Sequence, residues 1–375
     1  MALTPGRLLD LKAAKLKHTA FLMGLPSAGT KSQLDSVIRD HIDNRQQAFR
    51  GGRVVSVDMG IRNLAFCVLD VPLIVSKERL RPKPLGSPLK VSHWHKRDLL
   101  SVSPHSAEEP VEQAADVAGG TKKKRGRKRK PAITAAIPKS AFTPSVLSKT
   151  AYEVITDILS YKPSAILIER QRFRSGGAAA IQEWTVRVNM LESMLWACLR
   201  TMRETRKSKT IRFPDVHSVD PAPVARFWTA APDVGLRPTD NLLSPGHGSQ
   251  APPMLEKLKR ATRKVQKSEK IAVVRSWLDR VDPINVSLKF NGEAAKTAKA
   301  FSMADGRARR KAAVAEGDAA VGKLDDLADC LLQAVTWVRW EENSRRLSEL
   351  LEAWDAEDSQ EMPPVRDECE GKPAS

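Results

Sequence analysis

The sequence predicts an α/β fold, a mixed sheet flanked by helices, with a small helical module ahead of it. Three observations predict it. Short runs rich in β-branched and aromatic residues, bounded by glycine, proline and asparagine, recur at VVSV, LAFCVL, LKVSHW and SAILIE, as strands do. Apolar residues recur with helical spacing from Ile181 to Met202 and through KLDDLADCLLQAVTWVRW. Residues 8 to 43 carry a helical pattern of their own, and 375 residues suffice for one large domain with additions.

The first element to justify is that N-terminal pattern. Leu11, Leu16, Phe21 and Leu22 suit a short helix, which Gly24, Pro26 and Gly29 end. Thr30 can cap a second helix that places Leu34, Val37 and Ile38 on one face. The pair reads either as a structural helical hairpin or as a binding module. LKAAKLK followed by GLPSAGTKSQL resembles the SAP motif, a helix-turn-helix DNA-binding module. That resemblance implies a module over residues 1–48, with Lys31 at a helix start where a lysine can meet phosphate.

Val54–Val57, Leu64–Leu69 and Leu89–Trp94 are predicted as an antiparallel meander. Residues 101–145 lose periodicity and are expected to form an exposed, disordered insertion, within which Lys122 to Lys130 hold eight bases in nine positions. That run is a solvated tail, a phosphate contact or a nuclear address. Val146–Leu159 is a predicted helix, and Ser164–Glu169 a buried strand that ends on a carboxylate. In the next helix Ile181, Trp184, Val188, Leu191, Leu195, Cys198 and Met202 make a narrow apolar seam, which either packs on the sheet or pairs two chains. Ile211–Val219 reads as a strand, DPAPVARFW as a helix start, and residues 230–256 as a loop rich in proline and glycine. MLEKLKRATRKVQKSEKIAVVRSWL then reads as one basic helix, with Leu258, Val265, Ile271 and Trp277 inward and its bases toward solvent or DNA.

Charge narrows the function. The formal net charge is +18, and residues 351–375 carry eight acids against two bases, so the rest of the chain is more basic still. A polyanion is the expected partner. No apolar run approaches the roughly 20 residues that span a bilayer, and no membrane partner is expected. The four cysteines are far apart with no CxxC pair, which points to a reducing compartment and away from a zinc site. The opening MALTPGRLLDLKAAKLK is basic enough to be compatible with an organelle-targeting peptide.

Against this basic background the carboxylates stand out. Asp58 closes one apolar strand, Glu169 closes another, and KLDDLAD brings Asp325, Asp326 and Asp329 onto one side of a helix, opposite Leu327, Leu331, Ala334 and Val338. Asp326 with Asp329, or Asp325 with Asp329, can converge on one point. Acids gathered among phosphate-binding bases fit a hard-metal site, Mg2+ with Mn2+ as substitute. Two such ions, about 3.5–4 Å apart, promote phosphodiester hydrolysis. Gly60 would admit a scissile backbone, and Arg62 or Asn63 would meet a phosphate. The rival reading of Asp58-Met59-Gly60, a nucleotide-binding loop of the actin and sugar-kinase type, needs a second phosphate loop that is not found. His93 and His95 share a strand face but are read as surface-strand residues, since magnesium disfavours imidazole.

Strand-Asp, hairpin, strand-Glu and a late helix with Asp-x-x-Asp resemble the ribonuclease H-like superfamily, in the order used by RuvC-type resolvases. More narrowly, VDMGIRNLAFCVLD, IERQRFRSGGAAAIQEWTVRVNMLESMLWA, SVDPAPVARFW and KLDDLADCLLQA resemble the fungal mitochondrial Holliday junction resolvases. The match covers about residues 50–345, leaving residues 346–375 as an acidic C-terminal tail.

The resemblance implies a homodimer that binds four-way junction DNA and nicks two opposing strands symmetrically. It implies two metal ions per site, water as nucleophile, no small-molecule cofactor and a mitochondrial location, with the basic run keeping a nuclear one open. Metal ligands carry over to Asp58, Glu169 and Asp329 plus one of Asp325 or Asp326. RuvC-like spacing favours Asp326 and four-residue spacing favours Asp325. Arg170, Gln171, Arg172 and Arg174 would hold the DNA backbone near the junction centre. The rivals are a ribonuclease H-like nuclease on RNA–DNA hybrids or flaps, and a DNA-packaging protein whose acids are merely solvated.

Overall fold

β1 (Gly52–Asp58) starts at a glycine pair and runs through GRVVSVD, whose β-branched residues suit a buried strand. A computed structural model describes residues 7–44, 49–73, 88–100, 139–171, 183–206, 212–229, 265–279, 286–303 and 324–361. β1 pairs antiparallel with β2 (Leu64–Val71), and β2 antiparallel with β3 (Leu89–Arg97), so the predicted meander forms. β4 (Ala165–Glu169) lies parallel on the other side of β1, followed by β5 (Asp215–Val219), while the short β6 (Leu288–Phe290) closes the far edge. The sheet order is β5-β4-β1-β2-β3-β6. Among the described residues the strand expected from Ile211 begins only at Asp215.

Strand alternation divides the core. Val55, Val57, Ile166 and Ile168 face α4 (Pro144–Ser160) and α5 (Glu183–Glu204), with Ala151, Ile155, Leu191 and Leu195 beneath them. Val54, Cys67, Ala165 and Leu167 face the other layer, built from α6 (Pro221–Thr229), α7 (Lys267–Leu278), α8 (Gly292–Met303) and α9 (Leu324–Glu361). Ser56, Asp58 and Glu169 alternate onto this second face.

One sequence expectation changes. α7 is capped at Gln266, whose side chain and that of Glu269 form a reciprocal capping box, so the basic helix does not run unbroken from Met254. Of the two readings of the α5 seam, packing on the sheet holds for Val188, Leu191 and Leu195, which are buried inside a single chain, while Trp184 is 42% exposed. The acids of α9 are half-buried opposite its apolar stripe, with Asp329 turned onto the strand ends of the sheet. Within the expected insertion, residues 139–142 form a 3-10 turn and Pro144 opens α4. The rest of that insertion, with its basic run, and the loop at 230–256 lie outside the described residues.

The N-terminal helices α1 (Arg7–Asp10), α2 (Ala13–Leu22) and α3 (Lys31–Asp43) enclose a small core of Leu8, Leu16, Leu34 and Ile38. Thr30 caps α3, as the sequence indicates, and Gln33 completes a reciprocal capping box. This core is completed by Leu347 and Leu351, since α9 continues unbroken past residue 345, where the family resemblance ends. Gly24 marks the seat: its φ is +71°, and a Cβ there would lie 2.4 Å from the Trp340 ring. Asn343 Nδ2 donates to Leu22 O at 2.7 Å and completes the attachment. Among the described residues no helix is long and apolar enough to cross a membrane.

Candidate active site

Two adjacent parallel strands end together. β1 and β4 pair with Ser56 opposite Leu167 and Val57 opposite Ile168, which brings Asp58 and Glu169 to the same end of the sheet on the same face. α9 crosses that face and contributes Asp329 from its second turn. One carboxylate oxygen from each of Asp58, Glu169 and Asp329 lies within 4.8 Å of the others. Three acids separated by more than a hundred residues at each step thus form one pocket.

Electrostatics mark this pocket as built for a cation. Asp58 is held well above the usual carboxylate range, first by burial and then by the charges of Glu169, Asp329 and Asp326. Burial also raises Glu169 to about 7, and the two side chains share a hydrogen bond. Asp329 is raised by burial although Lys270 opposes the shift. Lys270, on α7, forms an ion pair with Asp329, and Lys267, one turn earlier, pairs with Asp325. An ammonium drawn into an all-oxygen cluster is the stand-in expected where a hard divalent ion belongs, so the donor set fits such an ion.

The sign of the pH dependence follows. Between the ordinary Glu169 value of 4.5 and its folded value of about 7, the folded chain holds a proton that the unfolded chain has released. Without metal, stability from this group is therefore lost as pH rises through that window, and a divalent ion that binds the ionised cluster restores it. Thermal melts with and without Mg2+ should show a stabilisation by Mg2+ that grows between about pH 6 and 8. A stabilisation independent of pH would count against binding at these carboxylates.

The acid left open by the sequence separates into two environments. Asp325 pairs with Lys267 and its own side chain is 15% exposed, whereas the charge of Asp326 acts on both Asp58 and Glu169.

The expected DNA contacts are less tightly gathered. Arg62 and Asn63 lie in the turn directly after Asp58, where the exposed Arg62 also pairs with Asp98 at 3.7 Å. Gly60 serves that turn itself, since a Cβ there would lie 3.0 Å from Asn63 O. Arg170 follows Glu169, donates its backbone N–H to Val219 O at 2.8 Å, and pairs with Asp220 at 2.8 Å. The Gln171 N–H donates to Glu192 on α5 at 3.2 Å. Lys31 opens α3 in the N-terminal module. Arg172 and Arg174 lie outside the described residues. His93 and His95 pack on Tyr161 and Phe66, on the opposite sheet face from Asp58.

Sequence reading missed Lys267 and Lys270, which it turned toward solvent or DNA. Their three-residue spacing on a helix, matched to Asp325 and Asp329 four apart on another, is the signal that could have found them. It also missed Gln333, a lone amide inside the apolar run LLQAV.

Comparison with known proteins adds an independent line. The family model described as "Mitochondrial resolvase Ydc2 / RNA splicing MRS1" matches residues 54–347. "Cruciform cutting endonuclease 1, mitochondrial" of Schizosaccharomyces pombe is 25% identical over 221 residues, 59% of this chain and 67% of that protein. The Saccharomyces cerevisiae protein of the same name is 23% identical over 359 residues, 91% of this chain and 85% of that protein. The crystal structure of the yeast mitochondrial Holliday junction resolvase Ydc2 aligns with a TM-score of 0.51 and 22% identity, covering 92% of this chain and 99% of that one. That likeness shows a shared fold, a mixed sheet flanked by helices.

Proposed function

The chain belongs to the mitochondrial resolvase Ydc2 / RNA splicing MRS1 family, and from that membership we propose that it is a structure-selective endonuclease that resolves four-way DNA junctions. The observation that carries the reading is the convergence of Asp58, Glu169 and Asp329 within 4.8 Å in a strongly basic chain. Its curated relatives are cruciform cutting endonucleases by name and mitochondrial by name, and the protein is placed in the mitochondrion with them.

In this reading Asp58, Glu169, Asp329 and Asp326 hold two Mg2+ ions, for which Mn2+ substitutes, and Asp325 stays outside with Lys267. When bound, such ions activate water and stabilise the leaving oxygen of a phosphodiester. The chain's own part is to fix the carboxylates on the ends of two rigid strands and one helix, so that little reorganises during the reaction. Arg62, Asn63, Arg170 and Gln171 flank the strand ends, where guanidinium and amide groups grip a phosphate backbone. Arg172 and Arg174 are assigned the same task. The N-terminal helical unit is assigned a SAP-like binding role through Lys31. Symmetric cutting of two opposed strands calls for two such sites, and the protein is proposed to act as a homodimer.

The family description also names RNA splicing. A purely binding role would leave the buried carboxylates without a purpose, since like charges so placed repel each other. The test is a comparison of wild-type protein with Mg2+ on a four-way junction, linear duplex of the same sequence, RNA–DNA hybrid and structured RNA. Paired nicks in the junction alone are expected. Equal or faster cutting of the hybrid would replace this reading with a ribonuclease H-like one, and binding without cutting would favour a packaging or splicing role.

A further inference from the structure

We propose that Gln333 is a positioning residue for the carboxylate centre: its buried amide fixes α9 against β1 and β4 and thereby sets the spacing of Asp58, Glu169 and Asp329. Gln333 is 2% exposed and lies one helical turn beyond Asp329. Its Nε2 donates to Ser56 Oγ at 3.0 Å, Val57 O at 3.3 Å and Leu167 O at 3.4 Å. Two of these partners are carbonyl oxygens, which only accept, so the amide orientation is fixed by its surroundings.

The positions of those partners give the contact its meaning. Ser56 and Val57 lie two residues and one residue before Asp58, and Leu167 lies two before Glu169. One amide thus touches both strands just behind their catalytic ends, from the helix that supplies the third acid. An amide is costly to bury unless it is hydrogen-bonded, which makes this docking geometry strongly preferred over a helix slid or rotated along the sheet. Other α9 anchors reach elsewhere: Trp94 Nε1 donates to Leu327 O at 3.0 Å and Cys67 Sγ to Cys330 O at 3.3 Å, from β3 and β2. These hold the helix to the sheet but do not touch the strands that carry Asp58 and Glu169.

This inference rests on the metal-binding reading of the carboxylates, and the experiment separates the two. Mn2+ affinity is measured on the full-length protein by electron paramagnetic resonance titration, well below the melting temperature. The variants compared are Gln333→Met, Ser56→Ala, Val338→Ala and Asp58→Asn. Gln333→Met keeps length but loses both donors, and is expected to weaken Mn2+ binding about tenfold, as loss of a group that orients metal ligands does. Ser56→Ala, which removes one of three acceptors, should show a smaller weakening. Val338→Ala makes a cavity on the same helix away from the amide and should lower the melting temperature without changing Mn2+ affinity. Metal-free junction binding should be the same in all four. Wild-type Mn2+ affinity in folded Gln333→Met overturns the proposal. If Gln333→Met does not fold, Ser56→Ala decides alone, and unchanged affinity there overturns it equally. Wild-type affinity in Asp58→Asn would instead overturn the metal reading itself.

Discussion

Asp58→Asn is expected to lower junction cutting by at least about 1,000-fold while junction binding stays near wild type. The size follows from the removal of one ligand from a centre whose bound ions supply several kcal/mol to the transition state, each 1.36 kcal/mol being tenfold in rate. Binding should survive because the residues proposed to meet the phosphate backbone, Arg62 and Arg170, are exposed side chains next to Asp58 and Glu169 rather than part of the cluster. Stability should not fall. Asp58 is buried beside Glu169 and Asp329, and its ionised form is disfavoured there, so an isosteric neutral amide relieves repulsion in the metal-free protein. A melting temperature at or above wild type, with cutting lost, is the expected pair of results. Wild-type cutting rates would remove Asp58 from the mechanism.

Leu191→Arg is expected to prevent folding rather than to produce monomers. Leu191 is fully buried between α5 and the sheet, among Val55, Val57, Ile155 and Ile168. An arginine there combines overpacking with an unpaired buried charge, the mechanisms behind the largest single-residue losses, roughly 4 kcal/mol or more. Such a loss is a large part of a domain's usual stability of about 5–15 kcal/mol. Circular dichroism should show loss of the cooperative melt. A folded, monomeric Leu191→Arg would mean that the seam faces a partner chain after all.

The strands and their terminal acids were legible because their signal is local. In VVSVD and AILIE the run of β-branched and apolar residues defines each strand, and the position of the acid at its end needs no tertiary knowledge. Thr30 was legible for the same reason, as a capping residue directly ahead of a helical apolar pattern. What the sequence hid was which surface each helix face would meet. In α9 a periodic apolar stripe set Leu327 and Leu331 opposite Asp325 and Asp329, and the wheel alone left the acidic side to solvent; the strand-end acids Asp58 and Glu169 in a basic chain were what pointed it to a shared site, where Asp329 lies. No such second signal accompanied the bases of α7, which were turned outward, whereas Lys270 pairs with Asp329. A helical wheel separates faces but carries no information on what lies above them. The seam of α5 has the same ambiguity, since Leu191 and Leu195 fit a sheet or a second helix equally well until the fold places β1 and β4 beneath them.

Anomalous diffraction from crystals grown with Mn2+ tests whether Asp58, Glu169 and Asp329 jointly bind a divalent ion. A peak should lie between the three carboxylates, about 2.1 Å from an oxygen of each, with Lys270 withdrawn from Asp329. Mn2+ peaks confined to other parts of the molecule, with Lys270 still paired to Asp329, would show that these carboxylates do not form the metal centre.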